Sequence, residues 1–194
     1  MAAPAYRSDV TMIPEAVHAR MRGSSWHPDP RCPTVDALRL VHVSHWDFAG
    51  QVASGQLIVA AGVAEEVVQI FAALFAIRFP IARMDLIDVF AGDDDASMAA
   101  NNTSAFNFRN VAGTEVLSQH ALGLALDINP VVNPMVIGAA IYPPAGVAYL
   151  DRTRECPGLI TRPGPVVDVF AAHRWQWGGD WSPMKDYHHF VKTR

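Results

Sequence analysis

Cysteine is scarce: the 194 residues hold two, Cys32 and Cys156. Neither has a second Cys or a His at finger spacing, so a zinc finger built on thiolates is excluded. The two leave open one disulfide or two separate buried thiols. Long apolar runs are lacking too. The richest, at 67–77, is interrupted by Gln69 and is well short of the roughly 20 residues that cross a bilayer. No membrane span is expected. Charged residues are few, 18%, and the net charge of −4 comes with no basic block. Phosphate backbones are held by clustered Lys and Arg, so no nucleic-acid partner is expected. Arg7 near the N-terminus is not followed by the apolar core of a secretory signal. The expectation is a mature secreted form, or a protein made in the cytoplasm and released by other means. Internal repeats and low-complexity segments are absent.

What is present is a globular composition, 51% hydrophobic, in a chain long enough for one sizeable core or at most two small domains. The first 36 residues are rich in Pro, Arg, His and Ser, with a short helix expected within 13–21 and a loop over 24–33. They read as an N-terminal extension packed on a domain that covers 37–194. Residues 38–48 alternate apolar and polar side chains, which predicts a strand. A turn bounded by Gly50 and Gly55 and a return strand at 56–61 complete a hairpin. Val63, Val67, Ile70, Phe71, Leu74 and Phe75 recur at helical spacing, which predicts an amphipathic helix over 64–78, ended by Pro80. Further strands are expected at 84–89, 103–109, 122–128 and 187–191. A short helix capped by an Asp is expected after Asp93-Asp94-Asp95, another helix at 166–173, and a loop or irregular strand pair at 130–144. The sum is an α+β domain with a small, mainly antiparallel sheet and flanking helices.

The chemistry concentrates in two segments. In Ser118-Gln-His120-Ala-Leu-Gly123-Leu-Ala-Leu-Asp127 a His and an Asp sit seven apart, with Gly123 letting the backbone turn from loop into strand. An imidazole and a carboxylate are both good zinc ligands, but a catalytic zinc takes three protein ligands and keeps an open position. Asp186-Tyr-His188-His189-Phe190 supplies the third. One of its histidines completes a His/Asp/His set, and Asp186 is then free to act as a general base. His188 and His189 compete, because neighbouring strand residues point to opposite faces.

These residues resemble the signature of the zinc D-alanyl-D-alanine carboxypeptidases and L-alanyl-D-glutamate endopeptidases, a group that includes phage endolysin peptidases. The signature S-x-H-x-x-G-x-A-x-D is matched at Ser118, His120, Gly123, Ala125 and Asp127. The later acidic-x-x-His motif is matched at Asp186 and His189, and Trp177-Gly-Gly-Asp-Trp181 resembles the W-G-G-x-W stretch that precedes it. The resemblance implies the Hedgehog/DD-peptidase fold, a Zn2+ ion held by His120, Asp127 and His189, and Asp186 as the catalytic base. It implies a peptidoglycan stem peptide as substrate. The family also places a substrate-binding Arg on a preceding strand. Arg109 in Ser104-Ala-Phe-Asn-Phe-Arg109 is the nearest match, with two more residues before the Arg than the family pattern has. If a strand forms there, Ala105, Asn107 and Arg109 share one face. A carboxypeptidase and an endopeptidase both remain open. So does a non-catalytic zinc or wall-binding module of the same fold, in which Trp175, Trp177 and Trp181 would hold glycan; in a peptidase they are expected as core and cleft walls. His188 then stands behind the ion or at the surface. His18, His27, His42, His45 and His173 have no ligand-like spacing.

Overall fold

The computed structural model describes residues 4–193. Its architecture is α+β, with three three-stranded sheets, each antiparallel throughout. The first sheet is β1 (Ser8–Thr11), β2 (Leu38–Trp46) and β3 (Val52–Ala60), in that order. The turn of the β2–β3 hairpin is tighter than the sequence pattern indicates, with β2 ending at Trp46 and β3 starting at Val52. Gly55 lies inside β3, and the turn is made by Asp47, whose carboxylate accepts from the Ala49 and Gln51 amides. Both faces of this sheet are covered. Val41, Val43, Leu57 and Val59 join the main core, while Leu38, Leu40 and Ile58 join a second cluster with Val17 and Met21 of α1 (Glu15–Met21).

The helix α2 (Ala64–Ala76) forms where the apolar spacing predicts it. Val67, Ile70, Phe71 and Leu74 are almost wholly removed from water against β2. Each such side chain contributes about 1.5–3 kcal/mol of burial free energy. The same core is closed from the other side by α4 (Pro165–Ala172) and a second sheet. That sheet orders β4 (Ala125–Asp127), β9 (His189–Lys192) and β7 (Trp175–Trp177). Phe170 of α4 stacks on Phe190 of β9, ring centroids 3.8 Å apart. Strand alternation then turns the preceding residue, His189, away from the core. A third sheet, β6 (Ala140–Tyr142), β5 (Met135–Ile137) and β8 (Lys185–Asp186), borders it.

Several expectations are corrected. Residues 84–89 form no strand: Ile87–Phe90 is a 3-10 turn, and α3 (Asp94–Ala99) follows with Asp93 as its N-cap, accepting from the Ala96 amide. Residues 103–109 form no regular strand either. The segment runs between several elements, its amides bonding in turn to Arg83, Asp127, Ile58, His120 and Ser25 carbonyls. No single neighbour offers it a ladder, so the two-face alternation expected there does not hold: Ala105, Phe106 and Asn107 are all buried. The strands expected at 122–128 and 187–191 are shorter, because His120–Leu122 is a 3-10 turn and β9 begins only at His189. The strands β1, β7 and β8 carry too few residues to show a period. Both cysteines are free thiols. Among the described residues no helix is long and apolar enough to cross a membrane.

Gly123 is the hinge between the His120 turn and β4. Its φ is +67°, and its carbonyl accepts from Ala60 at the end of β3. A Cβ there would lie 2.5 Å from the Ala60 nitrogen, which is backbone and cannot yield cheaply. Gly123→Ala is expected to destabilise the fold by more than about 1 kcal/mol, from the left-handed conformation and the overlap together. A denaturant melt reads this as a lower midpoint with an unchanged slope.

Candidate functional site

His120 opens its 3-10 turn because Ser118 shapes the approach. The Ser118 hydroxyl accepts from the His120 amide at 3.2 Å, and the Ser118 carbonyl accepts from Ala121. The imidazole is buried, 3% exposed, and its Nδ1 lies 2.6 Å from the Ala105 carbonyl. A carbonyl only accepts, so Nδ1 carries the hydrogen and Nε2 is presented inward. Asp127 and His189 are direct cross-strand partners in the β4–β9 register. The register thereby brings together residues 62 positions apart, with Asp127 Oδ1 2.9 Å from His189 Nδ1.

The three side chains converge. His120 Nε2 lies 3.2 Å from Asp127 Oδ2 and 3.2 Å from His189 Nδ1. Among the described residues, His120, Asp127 and His189 are the group whose donor atoms could hold a metal ion. Ligand bonds of 2.0–2.1 Å at tetrahedral angles place donor atoms about 3.3 Å apart. The observed separations suit that set. The orientation of His120 by a backbone carbonyl is also the outer support that metal-binding imidazoles use.

Asp186 is carried by β8, opposite Met135 of β5. The Gly178 position lets this strand approach: a Cβ there would lie 2.6 Å from the Asp186 carbonyl oxygen. The Asp186 carboxylate is buried, and its Oδ1 has no hydrogen-bond partner, although His188 Nε2 stands 3.0 Å away. Such an orphaned acceptor beside the cluster suits a bound water or substrate proton.

The electrostatics are those of closely packed opposite charges. Burial works against the charge on His120, but Asp127 outweighs it and the imidazole pKa is raised. Burial alone would raise the Asp127 carboxyl. His120 and His188 overcome that and hold it well below the usual carboxylate range. Burial pushes the Asp186 carboxyl up, against the pull of His188 and His189. His188 is desolvated as well, yet Asp186 and Asp127 raise its pKa.

His120, Asp127 and His189 are together, and Asp186 stands beside them within the influence of all three. Arg109 is near enough to bear on His120, and is held by Asp94 of α3 through an ion pair of 2.6 Å. The Asp93-Asp94-Asp95 run is therefore more than a helix start, which its sequence gave no sign of. His188 is buried rather than at the surface, 3% exposed, and reaches Asp127 Oδ1 at 3.9 Å. Strand alternation does not constrain it, because it precedes β9. Trp181 packs on His189 with ring centroids 5.3 Å apart and is partly exposed.

Comparison with known proteins adds one finding. Residues 112–192 match the family model described as D-alanyl-D-alanine carboxypeptidase. The match takes in His120, Asp127, Asp186 and His189 and supports the resemblance carried by those motifs; Arg109 lies outside it. Comparisons with curated proteins and with solved structures gave no match.

Proposed function

From the premise that residues 112–192 carry the pattern of the D-alanyl-D-alanine carboxypeptidases, a family of cell-wall peptidases, we propose that this protein is a zinc-dependent hydrolase of peptidoglycan stem peptides. The convergence of His120 Nε2, Asp127 and His189 Nδ1, with the Asp186 carboxylate beside them, is what supports the reading most. In it, His120, Asp127 and His189 hold the ion. Zinc in such a site supplies Lewis acidity and lowers the pKa of a water from 15.7 to about 7. Asp186 accepts the proton of the attacking water as its oxygen joins the scissile carbonyl carbon. When the carbon–nitrogen bond breaks, Asp186 returns that proton to the departing amine. Arg109, held by Asp94, donates to the carbonyl oxygen as negative charge develops there. Trp181 shields the edge of His189 from bulk water. The reading includes the Hedgehog/DD-peptidase fold and an N-terminal extension, within 1–36, packed on a zinc peptidase domain, 37–194.

Two cuts fit this chemistry: removal of a terminal D-Ala, or scission between L-Ala and D-Glu. The zinc-loaded protein incubated with purified muropeptides is expected to give products heavier in sum by one water. Their masses identify the bond. Intact muropeptides after prolonged incubation, with zinc bound, would contradict the proposal. Arg109→Ala is expected to lower kcat/KM about 10²-fold while zinc stays bound, as loss of one donor to a developing oxyanion does. Steady-state kinetics beside metal analysis checks it.

A further inference from the structure

The proposed reaction leaves His188 unused, though it is a wholly enclosed ionisable side chain in contact with the Asp186 carboxylate. We propose that His188 is a positioning residue that braces the Asp186 carboxylate against a buried asparagine post, Asn133. The inference rests on the reading of Asp186 as the general base.

The geometry is that of a strut fixed at one end. His188 Nδ1 lies 2.8 Å from the Asn133 carbonyl, an acceptor, so Nδ1 donates and the ring plane is set. Nε2 at the far side of the ring then faces Asp186 Oδ1 at 3.0 Å. That contact is a close approach of the two side chains rather than an aligned hydrogen bond, since Oδ1 has no hydrogen-bond partner. The post itself is immobilised. Asn133 is 0% exposed, and its Nδ2 donates to the Gly158 carbonyl and, through its other hydrogen, to the Ile128 and Asn129 carbonyls together. Its Oδ1 accepts from the Ile160 amide at 2.8 Å and from Arg152 Nη2 at 2.7 Å. Arg152 in turn lies over the ring of Tyr187, next in sequence to Asp186, 4.5 Å from its centroid. The base is thus held from the segment 128–160, which contributes no ligand of its own downstream of Asp127. Oδ1 has no hydrogen bond to fix it, so the His188 ring packed 3.0 Å away is what limits its movement on that side. Misplacing a reacting group by about 1 Å is enough to cost about 10²-fold in rate.

Two substitutions separate the ends of the strut. His188→Asn keeps an amide donor near Nδ1 for the Asn133 carbonyl but cannot reach Asp186. His188→Gln extends an amide toward the position of Nε2. In the zinc-loaded protein acting on a muropeptide, H188N is expected to lower kcat about 10- to 100-fold. KM, zinc content and melting temperature should stay near wild type, and H188Q should recover part of kcat. In a D186N background the H188N substitution should add little further loss, because the two act as one unit. Wild-type kcat in H188N would overturn the inference, as would a loss of kcat that multiplies fully with that of D186N. So would loss of zinc in both variants, which would place His188's action on the metal site. The two readings fail differently. Full activity in D186N defeats the assignment of the base, whereas a dead D186N beside a fully active H188N defeats only the brace. Should H188N fail to fold, H188Q carries the same comparison: full additivity with D186N overturns the brace and non-additivity supports it.

Discussion

Alanine in place of His120 or His189 is expected to abolish zinc binding and with it essentially all hydrolysis. Each contributes one of three donor atoms spaced as a tetrahedral ion requires. Removing one leaves two ligands, too few for a catalytic zinc. The effect extends to stability. An ion that binds the folded chain at 1,000 times its dissociation constant stabilises it by about 4.1 kcal/mol. In a chain of this length that corresponds to roughly 8–16 °C in melting temperature. Chelation should therefore lower the melting temperature of the wild-type protein by about that amount and leave the His120→Ala and His189→Ala proteins unmoved. An equal response to chelator in wild type and variants would contradict the ligand assignment.

Asp186→Asn is expected to leave zinc in place and reduce kcat by about 10³-fold, within the range for loss of a positioned acid–base group. The side chain is nearly isosteric and the carboxylate is not among the three donors, so binding of the ion should survive. The amide cannot take a proton from water at neutral pH. The folded state already keeps this carboxylate at a raised pKa because it is buried, which brings it nearer to the working pH of a general base. Wild-type turnover in Asp186→Asn, measured on muropeptides with one zinc per chain, would remove Asp186 from the mechanism.

The sequence carried the helix α2 and the β2–β3 hairpin because their apolar residues repeat at the periods of 3.6 and 2 over many residues. The segment 103–109 has strand-like residues, yet tertiary demand overrides the pattern: its amides are shared among five different neighbours. Strands as short as β7 and β8 have no period to detect, and pairing partners alone define them. The site was legible for a different reason. His120, Gly123 and Asp127 sit in one short segment, and the Asp186-x-x-His189 spacing is fixed by β8 leading into β9. What could not be read was what touches these residues from elsewhere. Asp94 meets Arg109, and Asn133 meets His188 across 55 residues, through turns whose geometry no local pattern encodes.

The central claim is that one divalent ion is held jointly by His120, Asp127 and His189. Elemental analysis after dialysis against zinc-containing and then zinc-free buffer tests it most directly, with wild type, Asp186→Asn, His120→Ala and His189→Ala side by side. One zinc per chain in the first two and none in the last two is the expected result. A wild-type protein free of zinc, or either His variant retaining a full equivalent, would contradict it.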